Sequence, residues 1–264
     1  MEPHIRIQKV GNVFSSGRRE VVALQDIDLD IAPGQFACLL GPSGCGKSTL
    51  LNAVAGFAHP SSGSITVDGK PVAGPGPERG MVFQEYALFP WMTGEKNIAF
   101  GLEIKGLPKA RIADTVEKLL HMLSLLEFRA RYPKDLSGGM RQRVAIARVL
   151  ALDSPIMLMD EPFGALDALT RRNLQDELLR IWMETKKTIL FVTHSIEEAI
   201  YLADRIVVMT YGPGTVKRDI LVELPRLRDP AAPAFNALKR ELGMLVMEEQ
   251  QRHHHDERRM AAVD

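Results

Sequence analysis

The chain has 264 residues, 45% of them hydrophobic, enough for a sizeable core in one large domain or two small ones. Basic and acidic residues number 33 each, so the net charge is zero, which argues against a nucleic-acid protein working through bulk positive charge. Met1-Glu2-Pro3-His4 leads into mixed charge rather than a secretory signal, and no stretch approaches the roughly 20 apolar residues that span a bilayer, so any work at a membrane is expected from the water side.

Residues 5–14 and 21–31 alternate apolar and polar side chains, which predicts half-buried antiparallel strands. Pro33-Gly34 is a turn, and Phe36-Ala37-Cys38-Leu39-Leu40 is a wholly apolar run suited to a strand buried on both faces. A glycine-rich loop follows, then a helix from Ser48 to Phe57. Strands are predicted at 64–69 and 81–83. Residues 97 to 152 read as mostly helical, broken near Gly106-Leu107-Pro108 and Tyr132-Pro133. Ile156 to Met159 returns to buried strand, Leu166 to Thr185 to amphipathic helix, and 188–193 to buried strand. Later strands are predicted at 206–209 and 216–224. After Pro225 the pattern changes: residues 234–251 fit an amphipathic helix, and the remainder, with His253-His254-His255, is expected to fray into solvent. Strands alternating with helices, an antiparallel part and a helical insertion make an α/β fold. The expected division is a main domain over 1–230, with a helical insertion at about 86–152, and a tail over 231–264.

The run Gly41-Pro42-Ser43-Gly44-Cys45-Gly46-Lys47-Ser48-Thr49 fits G-x-x-x-x-G-K-[ST] between a buried strand and a helix, the context a phosphate loop requires. Glycines let backbone N–H groups converge on phosphate oxygens, and the helix start adds its positive dipole end. Lys47 is expected to neutralise the β- and γ-phosphates of ATP, and the Ser48 hydroxyl to ligate Mg²⁺. Two free thiols, Cys38 in an apolar run and Cys45 inside the loop, form no disulfide framework and point to a reducing compartment. A thiol reagent on Cys45 is expected to block activity, with MgATP protecting.

Asp160-Glu161 closes the apolar strand 156–159, where adjacent residues point to opposite faces. Asp160 is therefore assigned to Mg²⁺, through water, and Glu161 to activating the attacking water, with Pro162 holding Glu161 extended. Leu136-Ser137-Gly138-Gly139-Met140 opens another helix, with Ser137 as N-cap and two glycines leaving N–H groups uncovered. One chain needs no second phosphate-binding end for one nucleotide. The economical reading is that Ser137, Gly138 and Gly139 serve the nucleotide of another subunit.

The phosphate loop, Gln84, Leu136-Ser137-Gly138-Gly139, Asp160-Glu161, Gly164-Ala165-Leu166-Asp167 and His194 together resemble the ATP-binding subunit of an ABC transporter, over about residues 5–225. The resemblance implies a P-loop NTPase core with mixed sheet, an antiparallel β subdomain and an inserted α-helical subdomain. It implies a head-to-tail homodimer with two ATP, each sandwiched between one subunit's phosphate loop and the other's Ser137–Gly139. Gln84 then contacts Mg²⁺ and the water and links to the membrane partner, His194 holds the γ-phosphate, and Asp167 crosses the dimer interface. Phe14 stands where the family stacks an aromatic on adenine; the alternative is a core phenylalanine. Tyr86, Leu88, Phe89 and Trp91 crowd behind Gln84, either packing the helical insertion or lining an apolar groove for a helix of the membrane subunit. Met140, Leu88-Phe89-Pro90-Trp91 and Leu224-Pro225-Arg226-Leu227-Arg228-Asp229 resemble importers for nitrate, sulfonates or taurine. That family places the chain on the cytoplasmic face of the bacterial inner membrane, with transmembrane permease subunits and, indirectly, a periplasmic solute-binding protein, and no nucleic acid. The alternatives are an exporter's ATPase or a ribosome- or DNA-associated ABC protein. Those last relatives typically carry two ATPase units or a long coiled-coil insertion, where this chain has one phosphate loop and no long heptad run. A P-loop transferase leaves Ser137-Gly138-Gly139 unexplained.

Overall fold

The computed structural model describes residues 2–16 and 19–261. In chain order its elements are β1 (Ile5–Ser16), β2 (Arg19–Ile31), β3 (Phe36–Leu40), α1 (Lys47–Ala55), β4 (Ser62–Val67), β5 (Lys70–Pro71) and β6 (Arg79–Val82). Then come α2 (Gly94–Ile104), α3 (Lys109–Met122), α4 (Gly138–Ala151), β7 (Ile156–Asp160) and α5 (Ala168–Thr185). The chain ends with β8 (Thr188–Thr193), α6 (Ile196–Leu202), β9 (Arg205–Met209), β10 (Val216–Leu221) and α7 (Pro233–Ala261).

Two compact units divide the chain: Met1–Pro75 with Thr188–Asp264, and Gly76–Lys187. The first holds an antiparallel sheet in the order β2-β1-β4-β5 and a set of strands in the order β10-β9-β3-β8. β3 lies parallel to both β8 and β9, while β10 returns antiparallel on β9, so this sheet is mixed. All five residues of β3 and all six of β8 are buried, as unbroken apolar strands flanked by parallel neighbours should be. Phe36 packs on Phe191 with ring centroids 5.9 Å apart, and α1 adds Leu50, Leu51 and Val54 to this core.

The second unit holds the parallel pair β6 and β7 with α2 to α5. The helical stretch has a further break: α3 ends at Met122, and short 3₁₀ turns at Leu126–Phe128 and Pro133–Asp135 fill the run to α4. Helix α7 runs unbroken from Pro233 to Ala261, so the described part of the tail is helical beyond residue 251. The side chains of His253, His254 and His255 lie outside the described residues.

Candidate functional site

In the first unit, the chain leaves β3 and turns through the phosphate loop into α1. Gly44 and Gly46 adopt φ of +80° and +91°, conformations that L side chains avoid. A Cβ on Gly46 would meet Leu24 Cδ2 at 2.6 Å and the Ala23 carbonyl oxygen at 2.8 Å, so glycine is required by space as well as by φ. Gly46 is also the N-cap of α1 and offers no side-chain cap to the first N–H groups of the helix, the groups that suit an anion. Pro42 is buried, while Ser43, Gly44 and Ser48 are exposed and Thr49 is half-buried. Lys47 folds back into its own loop: it is 4% exposed, and its Nζ donates to the carbonyls of Gly41 and Pro42, both at 2.8 Å. Those carbonyls occupy the ammonium as phosphate oxygens would.

Cys45 is fully buried, with its Sγ 3.7 Å from Lys47 Nζ. Burial pushes the thiol up, and the lysine charge only partly opposes it. A thiol reagent would therefore reach Cys45 slowly in the native loop, because both access and thiolate are scarce.

His194 stands exposed just after β8, before the Ser195 N-cap of α6. The Ser195 hydroxyl accepts from Glu198 N at 3.4 Å, and Thr193 Oγ1 donates to Glu198 Oε2 at 2.6 Å, which fixes the switch from strand to α6. Phe14 lies on β1 opposite Val21 and is 49% exposed; it is no core phenylalanine. Phe14 and Val21 make an exposed apolar pair on one face of the β1–β2 hairpin, and Val13 and Val22 an exposed pair on the other.

In the second unit, β7 delivers a half-buried Asp160 at its end. Glu161 is not extended: its φ is +40°, and its carbonyl accepts from Gly164 N at 3.1 Å. This corrects the extended geometry expected from Pro162. Strand alternation stops at Asp160, and the chain turns sharply to bury Phe163. A Cβ on Gly164 would lie 3.9 Å from both Glu161 Oε2 and Gln84 Nε2, so these two side chains flank the same glycine.

The Ser137 hydroxyl accepts from Met140 N at 3.3 Å and caps α4. A Cβ on Gly139 would strike Thr170 Cγ2 at 2.5 Å, and one on Gly138 would touch the Tyr86 hydroxyl at 3.3 Å. Asp167 caps α5, accepting from Thr170 N at 3.0 Å, and that bond holds its carboxyl below the usual range.

The loop after Gln84 is held by residues that motif reading missed. Arg148 of α4 donates to the carbonyls of Ala87 at 2.7 Å and Tyr86 at 3.3 Å, and its guanidinium lies 5.5 Å from the Phe89 ring. Arg141 sits 5.4 Å from the Tyr86 ring. Asn97, fully buried, accepts from Phe89 N at 2.9 Å and donates to Thr93 O at 3.0 Å. Tyr86 and Ala87 both take positive φ, so this clamp holds a strained backbone. Phe89 packs on Phe100 at 4.5 Å, Tyr86 and Leu88 are half-buried, and Trp91 is 68% exposed. The only sequence signal for the clamp was arginine spacing on α4.

A glycine loop closing on a helix start after a buried parallel strand, with its lysine drawn inward, defines a P-loop nucleotide-binding protein. Residues 24–164 match the ABC transporter family. In sequence, the chain is similar to a nitrate import ATP-binding protein of Synechocystis sp., 46% identical over 238 residues and 90% of each chain. It is similar also to a taurine import ATP-binding protein of Roseobacter denitrificans, 52% identical over 199 residues, 75% of this chain and 74% of that one. Among solved structures it resembles a dimeric ATP-binding cassette in a post-hydrolysis state bound to ADP and Pi. That likeness has a TM-score of 0.75 and 31% identity, covering 84% of this chain and all of the other. The chain belongs to the ABC transporter family and is an ATPase of the ATP-binding cassette type. Among the described residues no helix is long and apolar enough to cross a membrane.

Proposed function

We propose that this chain powers solute import across the bacterial inner membrane, working at its cytoplasmic face as a head-to-tail homodimer bound to transmembrane permease subunits. The observation that carries the reading is the pair of glycine-bearing helix starts: Gly46–Lys47 on α1 and Ser137–Gly139 on α4. One nucleotide bridges the first of these on one subunit and the second on its partner, with Asp167 at the same interface.

On binding, the γ-phosphate draws Lys47 Nζ from the Gly41 and Pro42 carbonyls, and the N–H groups of residues 43–49 receive the phosphate oxygens. Phe14 offers its exposed face to adenine. The Ser48 hydroxyl, the Asp160 carboxylate and the Gln84 amide oxygen would each offer Mg²⁺ an oxygen donor, the kind that suits it, Asp160 through water. Mg²⁺, when bound, neutralises charge on the β- and γ-phosphates. Glu161 accepts the proton of the attacking water, Gln84 orients that water, and His194 donates to the γ-phosphate. The shared position of Gln84 and Glu161 beside Gly164 supports their joint action.

Trp91, with Tyr86, Leu88 and Phe89, receives a helix of the permease. Arg148 and Arg141 tie that loop to the helix bearing Ser137, so closure of the dimer moves the docking surface. A nitrate-, sulfonate- or taurine-type solute follows the nitrate and taurine import relatives. A periplasmic solute-binding protein would act through the permease.

The test is complementation. Ser137→Arg and Lys47→Ala are each expected to be inactive alone. Mixed as purified full chains, they rebuild one intact composite site per mixed dimer, and ATP hydrolysis returns. Mixing without any recovery would count against sites shared between subunits.

A further inference from the structure

The turn at 210–215, between β9 and β10, wraps the phosphate loop. A Cβ on Gly41 would lie 3.2 Å from the Met209 carbonyl oxygen. One on Gly44 would lie 3.7 Å from Tyr211 Cε2. One on Gly214 would lie only 2.2 Å from the Cys45 carbonyl oxygen. Gly44 and Cys45 of the nucleotide loop therefore rest against this turn, and Gly41 against the end of β9 that leads into it. The turn is cross-braced internally. Thr210 Oγ1 donates to the Pro213 carbonyl at 2.9 Å and accepts from Thr215 N at 2.8 Å. It is also fastened to β2, through Gly214 N to the Ala23 carbonyl at 2.9 Å and Gln25 N to the Gly214 carbonyl at 3.0 Å.

Its other support comes from α7. Glu249 is fully buried, and its Oε2 accepts from Tyr211 N at 3.0 Å. Its Oε1 accepts from Lys217 Nζ at 2.6 Å, and the same ammonium donates to the Leu245 carbonyl at 3.1 Å and to Glu248 Oε2 at 2.7 Å. Phe235, Leu242 and Val246 bury the near face of α7, so the helix presents Glu249 from a fixed position. A cleft of about 790 Å³, lined by Tyr211, Glu248, Gln251 and Arg252 among others, borders the turn and α7. Packing leaves that space open, and the Glu249 carboxylate crosses from helix to turn. Burial alone would raise this carboxyl, but the bonds from Lys217 and Tyr211 N hold it lower, so it stays ionised at neutral pH. An ionised acceptor on a backbone N–H makes a stronger bond than a neutral one.

We propose that Glu249 of the C-terminal helix is a positioning residue for ATP binding, acting through the Tyr211 turn on the phosphate loop. It touches neither nucleotide nor water. It fixes the turn against which Gly44 and Cys45 rest, and so pre-organises the loop's N–H groups. Disturbing α7 would then change ATP affinity from outside the site, which makes the tail a control point. This rests on the phosphate loop holding ATP, and Lys47→Ala is the control for that reading.

The experiment uses the full-length chain. ATP hydrolysis gives KM and kcat, and titration with an N-methylanthraniloyl ATP analogue gives Kd, for Glu249→Ala, Glu249→Gln, Tyr211→Ala and the double variant Tyr211→Ala/Glu249→Ala. Glu249→Ala is expected to raise KM and Kd roughly fivefold to tenfold, the size of a lost charge-assisted bond, with less change in kcat. Glu249→Gln keeps an acceptor for Tyr211 N and recovers most of the affinity. The double variant is expected to lose less than the two single losses combined, because Tyr211→Ala keeps the N–H that Glu249 holds but removes the ring beside Gly44 through which that bond acts. Affinity within twofold of the parent for Glu249→Ala, or single effects that multiply in the double variant, would overturn the proposal. Should Glu249→Ala fail to fold, Glu249→Asp keeps the Lys217 ion pair while falling one methylene short of Tyr211, and the same criteria apply. Unchanged analogue binding by Lys47→Ala would instead undo the nucleotide reading.

Discussion

Replacing Gly46 by alanine probes the geometry on which nucleotide binding depends. The residue sits at φ +91°, and its added Cβ would meet Leu24 Cδ2 at 2.6 Å and the Ala23 carbonyl oxygen at 2.8 Å. The left-handed conformation costs an L residue about 1–2 kcal/mol. The leucine methyl can rotate away, but the Ala23 carbonyl belongs to β2 and cannot, so overpacking adds about 1–3 kcal/mol. If the loop relieves both by shifting, the roughly 2–5 kcal/mol appears as an ATP affinity roughly 30-fold to several thousandfold weaker. Gly69→Ala is the matched control: φ is +72° there, and nothing lies within 4 Å of the added Cβ. It is expected to cost stability alone, about 1–2 kcal/mol by urea unfolding, with ATP affinity unchanged. Fluorescent-nucleotide titration and urea unfolding on all three proteins separate the two effects. Binding by Gly46→Ala within threefold of the parent, with unfolding also unchanged, would refute the reasoning.

Two further outcomes follow from the structure. Arg228 is buried, and burial pushes its guanidinium down to about 10, still protonated at neutral pH; it donates to the carbonyls of Ile200 at 2.6 Å, Ala203 at 2.7 Å and Leu224 at 3.0 Å. Arg228→Ala is expected to lose about 3–5 kcal/mol in urea unfolding, and Arg228→Lys to recover under half, because a point ammonium cannot replace both Nε toward Leu224 and Nη1 toward Ile200 and Ala203; a loss below about 1 kcal/mol would contradict this. Alkylation of Cys45 followed by mass spectrometry is expected to be far slower in the native chain than in urea, and to accelerate as pH rises toward the raised thiol pKa, since the thiolate is the reacting form. Equal rates in both states would show that the loop opens freely.

The parts of the site that were legible in the sequence are those in which backbone geometry dictates residue type. Gly44, Gly46, Ser137 and Gly139 answer to φ, to capping or to a close approach, so their spacing alone announced them. The apolar strands β3, β7 and β8 were legible because burial on both faces leaves no room for alternation. Glu161 was misread for a local reason: the usual effect of proline on its predecessor predicts extension, but burying Phe163 while returning the chain to Gly164 demands a positive φ. Helix α6, only seven residues long, gave too little periodicity to read. The reach of Glu249 to Tyr211 and of Arg148 to Ala87 spans 38 and 61 residues, and no periodicity reports contacts at that separation. The burial of Cys45 was not legible from its motif, because burial within a loop is a tertiary property.

Glu161→Gln keeps the turn and the carbonyl bond to Gly164 but removes the proton acceptor, so it should bind ATP and hydrolyse it very slowly. Purifying this variant from gently solubilised native membranes with MgATP, and identifying by mass spectrometry what comes with it, tests the central claim most directly. A multi-span membrane protein in stoichiometric yield is the predicted result; ribosomes, DNA or no partner at all would contradict a role in transport while leaving the ATPase chemistry in place.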